Sequence, residues 1–255
     1  HFLILLKRKN CIIAGVICVI ILTIYMKNHS VCKLLIVLFI TTFSFSQNQF
    51  NDNGEKSGLW IGYHNNNNNT IKYKGEFSDG KEMGVFKYYD YSGNLVVELD
   101  YIEIGQKSLA TIYYPNGIIK STGEYVNKEK EGLWIYYNQN GQKIAEENFA
   151  HNNLNGESRY FYENGMLSEK YNYLNNKKEG LAEIYYMSGF INMQCSFSLD
   201  TLNGFSKFYY DKINQIESQG YYNMGMKHSI WIFFNELGDT LDVYDYTNKV
   251  SLMKE

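Results

Sequence analysis

The sequence predicts an all-β fold, an elongated repeat array of stacked β-hairpins that form a twisted antiparallel sheet. Three observations lead to this prediction. A leading Gly or Ser returns about every 24 residues, two aromatic positions recur at fixed distances from it, and a turn lies between those two positions. An apolar N-terminal segment, predicted to be a helix or a signal, precedes the array.

Each unit begins at its leading residue, and positions are counted from there. The intervals between leading residues are 26, 24, 24, 24, 24, 24 and 25 residues. A strand follows each leading Gly, so positive φ or close approach of a neighbour is the expected reason for the glycine. The eight leading residues are Gly58, Gly84, Ser108, Gly132, Gly156, Gly180, Gly204 and Ser229.

Positions five and seventeen are aromatic in every unit, once the longer first unit is allowed for, and both are expected to be buried ring columns. Alternation on a strand places positions one and five on one face and positions two and four on the other. Neither face is cleanly polar, so the sequence leaves open which face is functional. The columns are Tyr63, Tyr89, Tyr113, Tyr137, Phe161, Tyr185, Tyr209 and Phe234, and Phe77, Tyr101, Tyr125, Phe149, Tyr173, Phe197, Tyr221 and Tyr246.

Two kinds of connection separate the strands. Asn116-Gly117, Asn140-Gly141 and Asn164-Gly165 predict tight hairpin turns, because Asn-Gly tolerates positive φ. Stretches such as 127–131 are predicted to be polar loops between units. The extra residues of the first unit fall in the Asn tract 65–69, where a swollen turn is expected.

The composition argues against several classes of function. The formal net charge of -3 lacks the basic footprint of a nucleic-acid binder. Of the four cysteines, only Cys195 lies in the repeats, which excludes an internal disulfide framework and a Cys-based zinc site there. His64, His151 and His228 fall in different connections, and no catalytic motif is present. We therefore expect no enzyme, no cofactor and no metal site.

The N-terminal region predicts export. Residues 26–46 have the basic start, apolar core and small-residue end of a signal peptide, with cleavage near Ser46. Residues 1–25 would then be an upstream extension that the mature protein lacks. Alternatively, the two apolar runs anchor the chain in a membrane, although each is shorter than the roughly 20 residues of a span. Residues 47–56 are predicted to be a linker, 57–249 the repeat domain and 250–255 a tail.

The unit at residues 132–141, Gly-Leu-Trp-x-x-Tyr-x-x-Asn-Gly, resembles the MORN repeat. It is more similar to the bacterial MORN variants of proteins described as YwqK-type antitoxin components, and the resemblance covers about Ser57 to Thr247. It implies a scaffold, a membrane-associated module or a partner-binding surface, with no shared catalytic residues. The units at Ser108 and Gly156 depart from the Gly-Trp opening.

These observations predict an exported, non-catalytic repeat protein that acts as a protein-protein interaction or scaffold module, through a protein partner or self-association. One alternative is a cell-envelope glycan or lipid surface binder, in which the three Trp side chains are either ring platforms or core residues. Another is an antitoxin or immunity protein with a cognate toxin. Exposed rings beside polar neighbours would indicate a glycan site, and an apolar patch a protein site. The predicted ligand or partner surface is Trp60, Trp134, Tyr136, Tyr160, Trp231 and Phe233.

Overall fold

The computed structural model describes residues 47–65 and 69–253. The described residues form 21 strands of one open antiparallel sheet. The predicted upstream extension, signal peptide and N-terminal helix, residues 1–46, lie outside the described residues. The all-β repeat prediction is confirmed.

The strands are β1 (Gln49–Phe50), β2 (Lys56–Tyr63), β3 (Ile71–Ser78), β4 (Lys81–Tyr89), β5 (Leu95–Glu103), β6 (Lys107–Tyr113), β7 (Ile119–Val126), β8 (Glu129–Tyr137), β9 (Lys143–Ala150), β10 (Asn153–Leu154), β11 (Gly156–Phe161), β12 (Leu167–Leu174), β13 (Lys177–Lys178), β14 (Gly180–Tyr185), β15 (Ile191–Ser198), β16 (Thr201–Leu202), β17 (Gly204–Tyr209), β18 (Ile216–Asn223), β19 (Met226–Phe234), β20 (Thr240–Asp245) and β21 (Val250–Ser251).

Strands that follow one another in the chain pair antiparallel, so the sheet is a continuous meander. In the later units a short strand and a longer one share a neighbour, as β10 and β11 both pair with β9. The predicted linker contributes β1, which pairs with β2, and the Phe50 ring meets Trp60 edge-on at 5.0 Å. The predicted tail contributes β21, which pairs with β20.

The two kinds of turn differ from the prediction. Asn127 and Lys128 form a two-residue turn with φ of 51° and 69°, and β8 already begins at Glu129. Two positive φ values match the twist of adjacent strands, so this connection is the tight one and 127–131 is not a loop. At the Asn-Gly turn only Gly117 has positive φ, at 83°, and the Tyr114 amide donates to the Ile118 carbonyl across a longer loop.

The leading glycines have the backbone conformation expected of them. Their φ values run from 63° at Gly84 to 109° at Gly204, and the leading Ser229 also has positive φ, at 56°. Ser108, the other serine in this place, is buried and keeps an ordinary negative φ. Ser229 therefore carries the strain of an L-residue at positive φ, whereas Ser108 does not.

Position two forms the most buried row of the sheet. Trp134 and Trp231 are 0% exposed, and the other six members are also buried. We call the face with positions two, four and seventeen the core face and the opposite face the outer face. The expectation for position five is wrong, since Tyr137 is half-buried on the outer face and Tyr63 is exposed. The row is Trp60, Phe86, Ala110, Trp134, Ser158, Ala182, Ser206 and Trp231.

The residue that faces a position-two side chain from the preceding strand compensates for its size: it is small where position two is large. A Cβ placed on Gly220 would lie 2.5 Å from carbons of the Trp231 ring, and Gly75 is equally close to Phe86. Where position two is small, as at Ala110, the facing residue is larger, as at Leu99. The facing pairs that show this are Gly75 with Phe86, Leu99 with Ala110, Gly123 with Trp134 and Gly220 with Trp231.

One residue predicted for the position-seventeen column, Tyr221, does not belong to it. Gly204 pairs with Tyr222, whereas Gly180 pairs with Phe197. The unit that begins at Gly204 has one extra residue in its turn, where Lys212 has a φ of 66°. The core ring is therefore Tyr222, which meets Trp231 at 5.2 Å, and Tyr221 is 53% exposed.

Candidate interaction surface

The three tryptophans of the predicted surface are core residues. Each indole N–H donates to a backbone carbonyl: Trp60 to Gln49 at 3.0 Å, Trp134 to Glu124 at 3.2 Å and Trp231 to Tyr221 at 3.0 Å. Because the rings are buried and their polar atoms are satisfied, they do not offer exposed faces to a ligand. Of the two interpretations that the sequence allowed for these rings, the structure supports core packing.

The other three predicted residues occupy position four of the same face and are half-buried. The ring centres of Tyr136 and Trp134 are 6.4 Å apart, and those of Phe233 and Trp231 are 6.3 Å apart. The Tyr160 hydroxyl donates to the Glu147 carboxylate at 3.1 Å. Burial raises the pKa of Tyr136 and of Tyr160 above the ordinary value. The structure thus places all six predicted residues on the core face, but they are spread over four units and only Trp134 with Tyr136 and Trp231 with Phe233 lie together.

Lysines cover the aromatic clusters of the core face. We call the residue two places before each leading residue the lid. The Lys130 ammonium lies 4.5 Å from the Trp134 ring centre and 4.7 Å from that of Phe149, and it donates to the Tyr136 hydroxyl at 2.8 Å. Burial lowers the pKa of Lys130. Similar cation–π lids are Lys56, Lys178 and Lys227.

The outer face carries an exposed apolar row that the sequence analysis did not single out. It consists of position-one side chains, and their exposure runs from 40% at Phe205 to 72% at Leu181. Neighbouring members are two strands, or roughly 10 Å, apart, except that Leu133 and Leu181 are separated by twice that distance. The signal was present in the sequence, since position one is apolar in most units, but position two is also mostly apolar. We call Val85, Leu109, Leu133, Leu181, Phe205 and Ile230 the outer row.

Polar residues separate the members of the outer row. Leu109 pairs with Asp100 on one side and Glu124 on the other, and Leu133 pairs with Asn148. Between Leu133 and Leu181, position one is Glu157, which pairs with Arg159 at 2.5 Å and Lys170 at 3.5 Å. A charged network therefore divides the outer row into two apolar parts.

Position six joins successive units. The Tyr162 hydroxyl donates to the Tyr185 carbonyl of the next unit at 2.6 Å, and Tyr114, Tyr186 and Tyr210 make the equivalent bond. Asp90 and Asn138 occupy the same position but accept hydrogen bonds from their own turns instead. The hydrogen bonds from Asn94 hold the pKa of Asp90 below its ordinary value.

The described part of the chain contains neither a group of metal-ligating side chains nor a helix suited to cross a membrane. Within residues 47–65 and 69–253, no His, Cys, Asp and Glu side chains are grouped as metal ligands would be. In the same ranges no helix has the length and apolar character that crossing a membrane requires.

Two solved structures match part of this chain at low similarity. The crystal structure of TarM matches with a TM-score of 0.29 and 13% identity, over 37% of this chain and 19% of that chain. A mutant of S. aureus TarM in complex with Fondaparinux, alpha-GlcNAc-glycerol and UDP matches with a TM-score of 0.29 and 11% identity, over 38% of this chain and 19% of that chain. This chain thus spans about a fifth of the TarM chain, and such scores do not indicate a shared whole-chain fold.

The comparison with curated proteins found no match. The family model described as MORN repeat variant matches residues 84–103, 109–127, 130–151 and 154–175. The four segments follow the structural period, and each contains parts of two paired strands. MORN repeats are in general modules that interact with proteins or membranes. Residues 84–175 of this chain therefore consist of four MORN variant repeats.

Proposed function

We propose that this chain is an exported, non-catalytic interaction module, and that the outer face of its sheet binds a partner protein. The outer row is the observation that carries the proposal. Six large apolar side chains are exposed on one face, in two groups of three on either side of Glu157. Apolar side chains bordered by polar groups have the composition of a protein interface, in which an apolar centre is surrounded by a polar rim.

The chemistry of the outer row favours a protein over a glycan or an anionic lipid surface. A glycan site would need several exposed aromatic faces, whereas the indoles of Trp134 and Trp231 are fully buried on the other side of the sheet and Phe205 is the one aromatic member of the outer row. An anionic membrane would be repelled by Asp100 beside the row, whereas the charge of Glu124 is paired with Lys107 at 2.9 Å. A protein with apolar and basic side chains complements both features.

Export and the absence of catalysis rest on the sequence. The basic start, apolar core and small-residue end of residues 26–46 support secretion, and the lack of a nucleophile or metal motif supports a binding role. N-terminal sequencing of the protein recovered outside the cytoplasm tests the first point, with Gln47 as the expected first residue.

The outer-face proposal is tested with a triple variant, Leu109→Ser, Leu133→Ser and Leu181→Ser. The matched control replaces three apolar residues in turns that are somewhat more exposed than the outer-row leucines: Met187→Ser, Leu199→Ser and Leu237→Ser. Both variants should keep the wild-type melting temperature to within a few degrees, because exposed side chains contribute little to stability.

The assay is chemical crosslinking in the native envelope, followed by titration of the identified partner against each purified protein. We expect the outer-row variant to lose binding and the turn variant to bind like wild type. Sedimentation of the wild type alone shows whether the partner is a second copy of this chain. If the outer-row variant binds its partner as tightly as the wild type does, the outer face is not the binding surface.

A further inference from the structure

A cleft of about 400 Å³ opens on the core face between the units that begin at Gly84 and Ser108. Its walls are mainly aromatic and apolar. It lies on the opposite face from the outer row, so an inference about the cleft does not depend on the proposed partner surface. The side chains that define it are Tyr88, Leu99, Tyr101, Tyr125, Gln106 and Lys128.

The cleft exists because two space-filling residues are replaced there by smaller or exposed ones. Position two is Ala110, whereas the units on either side have Phe86 and Trp134 there. The lid is Gln106, whose side chain is exposed, whereas the lids Lys130 and Leu154 are half-buried. The sheet therefore has an opening where the neighbouring units are covered.

The walls of the cleft are held by buried rings. Tyr101 packs edge-on against Phe86 at 5.7 Å, and Tyr125 packs edge-on against Trp134 at 5.0 Å. Phe86 and Trp134 are among the most buried side chains of the described residues. The tyrosine rings are thus fixed before any ligand enters, which lowers the entropic cost of binding.

The backbone at Gln106 is placed like the backbone at a lysine lid. The Gln106 carbonyl accepts a hydrogen bond from the Asn127 amide at 2.7 Å, and the Lys130 carbonyl accepts one from the Asn152 amide at 3.1 Å. In four other units the space beside the lid holds a lysine ammonium over aromatic rings. The cleft therefore shares the backbone placement of these sites and their position-seventeen ring, Tyr125 in place of Phe149, but it has Ala110 in place of Trp134 and no lysine at the lid.

We propose that this cleft binds a lysine side chain presented by a partner protein, with the ammonium over Tyr101 and Tyr125 and the methylene stem against Leu99. The chain itself shows that a lysine side chain suits this environment, because it places one at the equivalent position of other units. Cation–π attraction to the tyrosine rings supplies the selectivity for an ammonium over an apolar group.

Two charged residues act on the cleft in opposite directions. Burial chiefly raises the pKa of Tyr88 and Tyr101, and the Glu82 carboxylate raises it further, so the negative charge of Glu82 acts on these rings and favours a cation. Lys128 lines the mouth with an exposed side chain and opposes a cation. Replacing Lys128 with Ala should therefore tighten binding of a lysine, whereas it would weaken binding of an anion.

The test uses the full chain and three blocked tripeptides, acetyl-Ala-X-Ala-amide, in which X is lysine, trimethyl-lysine or norleucine. Binding is followed by NMR shifts of the Gly105 and Gln106 amides. We expect saturable shifts with both ammonium peptides. The norleucine peptide, which has a similar length but no charge, should bind about tenfold more weakly.

Two substitutions at Gln106 copy the lids of other units. Gln106→Lys supplies an internal ammonium as Lys130 does, and Gln106→Leu fills the space as Leu154 does. Both should abolish peptide binding while keeping the melting temperature, because neither removes a wall of the cleft. Gln139→Lys makes the same chemical change in an exposed turn and should bind like wild type.

Several results would overturn the proposal. Equal binding of the norleucine peptide would mean an apolar site, and unchanged binding by Gln106→Lys would place the peptide elsewhere. Absence of shifts with either ammonium peptide would exclude a lysine site. Sedimentation with phosphatidylcholine vesicles that depends on Gln106, without peptide binding, would assign the cleft to a lipid headgroup instead.

Discussion

Replacing Gly220 with Ala should destabilise the sheet, although alanine is normally the better residue in a strand. The new Cβ would lie 2.5 Å from three carbons of the Trp231 ring, whereas carbon atoms in contact stay about 3.5–4.0 Å apart. The ring would have to move by about 1 Å. It is 0% exposed, and its N–H donates to the Tyr221 carbonyl at 3.0 Å, so it has little room.

The magnitude follows from two opposing effects. Overpacking of a well-filled core costs about 1–3 kcal/mol, and the lower entropy of unfolded alanine returns about 0.5–1 kcal/mol. We therefore expect Gly220→Ala to lower the free energy of unfolding by about 0.5–2 kcal/mol. Gln219→Ala, the adjacent change on the other face, should cost less than about 0.5 kcal/mol.

A double-mutant cycle isolates the clash. Trp231→Ala alone should cost about 3–5 kcal/mol, as for a buried ring. In that background Gly220→Ala has no ring to meet and should be neutral or slightly stabilising. The assay is urea unfolding followed by circular dichroism, because the tryptophan itself is changed. Equal costs of Gly220→Ala in the two backgrounds, or a Gly220→Ala protein as stable as wild type, would refute the size-compensation argument.

The remaining predictions use the same protein. Ser158→Ala should raise the free energy of unfolding by about 1 kcal/mol, because the Ser158 hydroxyl is buried without a hydrogen-bond partner among the described residues; a loss of stability in urea would contradict this. Deleting Gly156–Glu179, one unit in register, should leave a folded sheet by circular dichroism, and an aggregated product would count against independent units. Burial raises the pKa of Tyr88 and Tyr125 above the ordinary value, so their contribution to stability is complete below about pH 10 and is lost as the pH rises towards the folded values; phenolate absorbance should therefore appear together with loss of the sheet, not before it. Burial raises the pKa of Cys195 to about 11, so at about pH 8 mass spectrometry should find Cys195 unlabelled by iodoacetamide until urea is added.

The sequence predicted the period, the strands and, apart from Tyr221, the membership of the rows, because each depends only on residue spacing. It could not predict which face is closed. Leu133 and Trp134 are adjacent, both apolar, and on opposite faces, and only the packing of Trp134 against Gly123 decides that the indole is buried. For this reason the sequence-based prediction assigned the three tryptophans to the ligand surface and left out the outer row.

Local geometry explains the other differences. Asn116-Gly117 has the composition of a two-residue turn, yet the hydrogen bond from the Tyr114 amide to the Ile118 carbonyl closes a longer loop. A single extra residue near Lys212 moves the core ring from Tyr221 to Tyr222, since a shift of one residue reverses the side chain. The cleft was not predicted either, because it results from Ala110 and Gln106 occurring in the same unit.

The choice of residue at position six has a consequence for how the sheet opens. Tyrosines there fasten the units that begin at Gly156, Gly180, Gly204 and Ser229 into one block. After Asp90 the described residues show no such bond to the next unit, whereas after Asn138 the Gln142 side chain donates to the Glu163 carbonyl at 3.0 Å instead. Local opening is therefore expected to begin at the boundary after Asp90, with faster amide hydrogen exchange there than within the block. The cleft lies at the same boundary, so a bound lysine would stabilise the part of the array that opens first.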